Sequence, residues 1–195
     1  PRWRDEAFVA FDWAPMTFVY RQGEVEPPAD LRDLLDPRFK GKIALQDPRT
    51  STPGMQFFLW VLTSVGIEPG FEFLKNLKGN LHSVSPGWST AYGLFAKKQA
   101  SLVFSYLTSP IYHWRMEQNS AYQPAGFKSG HPIQVEYAAI PDSCVNCEGA
   151  EKLLKFMRVG LTIPWCNGTA AKGLIFVRDD FPHIQTCLLA ETFAL

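Results

Sequence analysis

The sequence predicts an α/β protein with a mixed, mostly parallel sheet and flanking helices. Three observations carry this. A unit of short apolar strand, loop and longer apolar helix occurs three times between residues 42 and 116. The helices of these units open after Pro or Gly, and they close at Gly or at basic residues, the asymmetry that helix ends favour. Hydrophobic content of 46%, with 14% aromatic, in 195 residues suffices for a buried core in one large domain or two lobes.

The first twenty residues alternate apolar and aromatic positions around Asp12 and Pro15, as one or two strands ending near Tyr20 would. A proline-rich polar connector, G-E-V-E-P-P-A-D, follows, and Asp30 is placed to cap a short helix, L-R-D-L-L-D, that Pro37 stops. The first repeated unit has Lys42-Ile-Ala-Leu45 as strand, D-P-R-T-S-T as loop, and a helix that Pro53 opens and Gly66 ends. A second helix, F-E-F-L-K-N-L-K, precedes the strand Leu81–Val84, the loop S-P-G and the helix W-S-T-A-Y-G-L-F-A-K-K. In the third unit Ser101–Ser105 is the strand, and Tyr106–Ser109 leads into P-I-Y-H-W-R-M-E. Irregular sequence then runs to a strand over Ile133–Ile140 and a helix, E-G-A-E-K-L-L-K-F-M. From Gly160 no element order is legible, and there is no internal repeat or low-complexity tract.

Nineteen basic and nineteen acidic side chains cancel, which argues against a nucleic-acid partner. No apolar run approaches the ~18 residues that span a bilayer, so the expectation is a protein not embedded in a membrane. The chain starts without Met on a segment that soon reads as strand, so residues upstream are expected. Four cysteines fall in the last third; Cys144-Val-Asn-Cys147 is a lone CxxC with no second pair, which disfavours zinc and leaves a local disulfide or two free thiols.

In a parallel sheet, ligands bind beyond the carboxyl ends of the strands. The three loops there carry Thr50, Ser51 and Thr52; Trp88 and Ser89; and Tyr106, Thr108, Ser109 and Tyr112. The first set of hydroxyls either only caps the following helix, with Ser51 or Thr52 as cap, or also joins the helix amides in an anion site. Trp88, Tyr106 and Tyr112 either fill the core boundary or present ring faces to a flat or cationic guest. Trp60, inside an apolar helix, is core. His82, His113, His131 and His183 are scattered, and no Walker loop, G-x-G-x-x-G, H-E-x-x-H or G-x-S-x-G occurs. No catalytic residue, metal site or cofactor is therefore expected; the chemistry is recognition.

Four stretches in order, Q-D-P-R-T-S-T-P-G (46–54), G-W-S-T-A-Y-G-L-F (87–95), S-Y-L-T-S-P-I-Y-H (105–113) and G-H-P-I-Q-V-E-Y-A-A (130–139), resemble the thiamine-binding periplasmic proteins, substrate-binding components of bacterial ABC importers. The resemblance runs over about residues 8–158. It implies a type II periplasmic binding fold, with 1–23 as first-lobe strand and hinge crossover, 24–129 as the second lobe, and 130–195 as hinge return and the remainder of the first lobe. It also implies that the amino-terminal third of a full member is missing here.

The family's ligand is thiamine, with thiamine mono- and diphosphate, and its partner is an inner-membrane ABC permease; a periplasmic, monomeric, non-enzymatic protein is implied. By motif, Ser51 resembles the phosphate-side contact, with Thr52 beside it, and Trp88, Tyr106 and Tyr112 resemble the aromatic residues around the thiamine rings. Phe11-Asp12-Trp13 stands where the family has Y-D-Y, which would put Trp13 near hinge and cleft. Trp165 lies three positions before the place of the family's tryptophan, and the CxxC is outside the pattern. Ferric-ion or another small-ion capture is the nearest alternative, although Tyr106 and Tyr112 are not adjacent; an enzyme acting on a thiamine-like phosphorylated substrate is the next.

Overall fold

The computed structural model describes residues 7–160, so the tail beyond 160, with Trp165, lies outside the described residues. The chain divides into two compact units: one is Ala14–Gln134, and the other joins the chain before Ala14 to the chain after Gln134. Two strands cross this boundary, β1 (Val9–Arg21) and β6 (Ile133–Ala138).

Within Ala14–Gln134, β2 (Ile43–Gln46), β3 (Leu81–Ser85), β4 (Leu102–Tyr106) and β5 (Tyr122–Pro124) join β1 in the order β3-β2-β4-β1-β5, and β6 pairs with β1. β2 lies parallel to both β3 and β4. β1 runs antiparallel to β4, from Met16↔Tyr106 to Tyr20↔Leu102, and antiparallel to β5. The sheet is thus mixed. β1 is one continuous strand despite Pro15, which sits just outside this ladder with its carbonyl accepting the Leu107 amide at 2.9 Å.

The strands alternate between two apolar layers, as the pleat requires. Phe18, Ile43, Leu45, Leu102 and Phe104 face a cluster filled by Phe57, Trp60 and Val61 of α1 (Thr52–Val65) and Phe73 and Leu77 of α2 (Ile67–Leu77). Val19, Ala44 and Val103 face the other way, against Ala91 and Phe95 of α3 (Trp88–Ala96) and Tyr122. Burial at Phe57, Trp60 and Val61 follows the helical period, which is why Trp60 is core.

Local sequence explains most element ends. Pro53 occupies the first turn of α1, and Gly66, at φ 99°, takes a left-handed backbone that no side chain adopts cheaply where α1 meets α2. The helix expected after Asp30 is a 3-10 turn, Leu31–Leu35, with Asp30 and Asp33 closing a reciprocal capping box. α2 starts at Ile67, earlier than expected, with Pro69 in its first turn. α4 (Ser109–Met116) also opens on a proline. β5 was not legible in the sequence. Among the described residues no helix is long and apolar enough to cross a membrane.

The other unit contains the start of β1, most of β6 and α5 (Cys147–Gly160). Cys144 and Cys147 form a disulfide at the start of α5, the local pairing that the spacing left open. Asp12 Oδ1 is buried without a hydrogen-bond partner. Burial, partly offset by a backbone hydrogen bond at Trp13 and reinforced by the Glu136 carboxylate, pushes Asp12 up to about 6.

A raised folded-state pKa means that the folded chain holds the extra proton, so stability from this group is full below about pH 4 and is lost as pH rises through 6. Because Asp12 is only partly buried, screening reduces the effect to about 1 kcal/mol. Asp12→Asn is therefore expected to be more stable at pH 7 and to lose the decline in stability between pH 4 and 6.5. Urea melts across that range check it; an unchanged pH profile would contradict the assignment.

Candidate functional site

Because β3, β2 and β4 are neighbours and parallel, their carboxyl ends open on one rim. Hydrogen bonds tie the loop after β2 to the loop after β3, and β2 to β4 beneath them. The Asp47 amide donates to Ser85 O at 2.8 Å, and Thr50 Oγ1 donates to Pro86 O at 2.8 Å. Buried Gln46 donates from Nε2 to Phe104 O at 2.8 Å, tying β2 to β4. Gly54 brings the first turn of α1 against this rim, since a Cβ there would lie 2.5 Å from Gln46 O.

In the first loop Asp47 accepts the Arg49 amide at 2.9 Å and its Nε at 3.0 Å. These bonds, the side-chain one foremost, hold the Asp47 carboxyl down to about 2. Ser51 occupies the N-cap position of α1 in extended backbone, φ −137° and ψ 125°, but its hydroxyl makes no capping bond. The expected cap is thus realised by position only. That hydroxyl and the first-turn amides at the positive end of α1 suit an anionic or hydroxyl group. Thr52 is exposed beside it.

The second loop delivers Trp88 as the first residue of α3. Its Nε1 donates to Ser105 Oγ at 2.9 Å, and Ser105 is fully buried at the end of β4 with its Oγ 2.8 Å from Ser109 Oγ. The indole stacks on Tyr92, centroids 4.9 Å apart with 24° between planes, and lies 6.2 Å from the ring of Tyr106. Tyr92 and Trp88 meet because residues four apart share a helix face.

Behind Tyr92 lies a second contact chain. Its hydroxyl is 2.8 Å from His113 Nε2, His113 Nδ1 is 2.6 Å from Glu117 Oε2, and the imidazole stacks on Tyr122 at 3.5 Å. The tautomer that satisfies both contacts has Nδ1–H donating to the carboxylate and Nε2 accepting the Tyr92 O–H. Burial, with Tyr122 and Glu117 nearby, pushes the Tyr92 phenol well above its ordinary value of 10.0, so the hydroxyl stays a donor. His113 is buried and satisfied. Tyr112, on α4, is 59% exposed with its ring 5.5 Å from that imidazole.

The structure brings Trp88 and Tyr106 together at the rim, with Ser51 and Thr52 on the neighbouring loop, whereas the ring contact of Tyr112 is with its chain neighbour His113. Trp13 belongs to the other compact unit, and Trp165 lies outside the described residues. Sequence reasoning missed Ser105, Tyr92 and Glu117 as supports. The spacings Trp88–Tyr92 and His113–Glu117 carried a signal for the last two; nothing local marked Ser105. Among the described residues no group of three or more His, Cys, Asp and Glu is placed to hold a metal ion.

Comparison with known proteins gives a consistent picture. The family model described as bacterial extracellular solute-binding protein matches residues 2–158. A thiamine-binding periplasmic protein of Salmonella typhimurium (strain LT2) is 41% identical over 156 residues, 80% of this chain and 47% of that protein. One from Brucella melitensis biotype 1 is 38% identical over a 199-residue alignment covering 97% of this chain and 59% of its own. The chain thus spans about half the length of the curated relatives it matches. Among solved structures, a periplasmic thiamin binding protein superposes with TM-score 0.78 at 31% identity, over 98% of this chain and 67% of that one. A Bordetella ferric binding protein, 16% identical with TM-score 0.56, shares the fold alone. The architecture is the type II periplasmic binding fold, and the chain belongs to the bacterial extracellular solute-binding protein family.

Proposed function

We propose that this chain captures thiamine, and thiamine mono- and diphosphate, in the periplasm as a monomer for delivery to an inner-membrane ABC permease. The observation that carries the reading is the indole of Trp88, fixed at the rim beside Tyr106 with Ser51 on the neighbouring loop. Thiamine is a flat aminopyrimidine joined to a permanently cationic thiazolium, with a hydroxyethyl or phosphate arm. Indole and phenol rings attract such a cation through their quadrupoles. The α1 amides, Ser51 and Thr52 suit the arm. Tyr112 adds a further phenol from α4. The names of the relatives support the same ligand.

In this reading, residues 24–129 form the second lobe, 1–23 the strand and crossover of the first, and 130–195 the return. Trp13 and Trp165 then serve as further ring contacts, an assignment supported by the motif resemblance alone. The protein binds and releases its ligand unchanged.

Calorimetric titration of the whole chain tests this. Saturable binding of thiamine is expected, and Ser51→Ala is expected to lower affinity for thiamine monophosphate about fivefold while changing thiamine affinity less than about twofold. Absence of heat with every thiamine compound would overturn the reading.

A further inference from the structure

The Trp88 indole is held at its edge and on one face, and both restraints come from residues outside the loop that delivers it. At its edge, Nε1–H ends on the hydroxyl of Ser105, which is fully buried and 2.8 Å from the hydroxyl of Ser109. Ser105 sits at the end of β4, seventeen residues away, in register with Thr17 of β1. Its place is therefore fixed by the sheet, not by a mobile loop. On its face, the indole lies against Tyr92, whose own hydroxyl is fixed by His113. One side of the ring is thus occupied by Tyr92, and the ring of Tyr106 lies 6.2 Å away.

We infer that Ser105, backed by Ser109, is a positioning residue for the ligand site: it locks the Trp88 indole in its binding orientation before any ligand arrives. A free indole on a helix end samples several rotamers, and ordering it on binding costs affinity. With its oxygen accepting the indole N–H, Ser105 is free to donate its own O–H to Ser109, and a hydroxyl that donates in this way is a polarised, stronger acceptor than an isolated one. That bond draws the N–H proton away from the ring and leaves the π face richer in electron density, which favours a cation over it.

This inference rests on the proposed capture of a flat cation, so its test separates the two. In the free whole chain, the Trp88 indole N–H resonance, assigned by its loss in Trp88→Phe, is expected to shift in Ser105→Ala and to shift less in Ser109→Ala. With thiamine as probe, Ser105→Ala is expected to weaken binding about five- to tenfold, mainly through faster release, and Ser109→Ala about twofold. In a Trp88→Phe background, which has no N–H to hold, Ser105→Ala is expected to change affinity less than about twofold.

An unmoved resonance in Ser105→Ala overturns the positioning role whatever the chain binds. Equal losses of affinity in both backgrounds also overturn it, since they mark a merely structural serine. So does unchanged affinity with a moved resonance. A moved resonance in a chain that binds no thiamine compound sinks the proposed ligand and supports the positioning role. Ser109→Ala removes a group from a half-buried position, so it keeps the question answerable if Ser105→Ala fails to fold.

Discussion

Trp88→Ala, titrated with thiamine, is expected to bind about 30- to 100-fold more weakly than the unaltered chain, equivalent to about 2–3 kcal/mol. A cation over a partly desolvated indole contributes up to about 2 kcal/mol, and aromatic stacking adds about 1 kcal/mol. The substitution removes both. It also leaves Tyr92 without the ring stacked on it at 4.9 Å.

Trp88→Phe keeps a smaller ring face but not the N–H donated to Ser105, and is expected to lose about fivefold. Stability is expected to change by only about 1 kcal/mol, because Trp88 is half-buried at the sheet rim and absent from both core clusters. Calorimetry and a urea melt on the same sample separate the two effects. Affinity in Trp88→Ala within about threefold of the unaltered chain would mean that this indole is not the ring that holds the ligand.

The parts of this site that sequence exposes are those set by local chemistry. Proline at the first turn and Gly66 at the end announced α1, and the same punctuation placed Trp88 and Tyr112 at or near helix starts. The apolar runs of β2 and β4 are short and buried throughout, so their strand character and parallel pairing were legible too. β5 was not. It spans three residues, includes Pro124, and exists because Arg21 and Val19 of β1 pair with it from a hundred residues away.

The same reason hides Ser105. Its role depends on β2, β3 and β4 lying side by side, which brings a strand end to an indole seventeen residues earlier, and no spacing rule encodes that. The cap at α1 shows the limit from the other side. Ser51 stands in the N-cap position with capping backbone, yet its hydroxyl makes no capping bond. Residue type at a helix start fixes the position, whereas the partner of the side chain is settled by what the rim presents.

Phe104→Ala is expected to cost about 3–5 kcal/mol in a urea melt, the largest stability loss of any single change considered for this chain. Phe104 is fully buried at the centre of β4, with ring centroids 5.4 Å from Phe18, 5.3 Å from Phe57 and 6.1 Å from Trp60. It therefore joins the sheet to α1, and removing the ring leaves a cavity that a strand paired on both sides, with β2 and β1, cannot close. Phe104→Leu, which refills part of the volume, is expected to cost about half as much.

Ligand affinity of the molecules that remain folded is expected to change less than about threefold in Phe104→Leu, because alternation along β4 turns Ser105, the residue that holds Trp88, to the opposite face. A loss below about 1 kcal/mol in Phe104→Ala would mean that α1 does not depend on this ring for its seat on the sheet. The rim would then owe its shape to the loop hydrogen bonds at Ser85 and Pro86 rather than to the core beneath it.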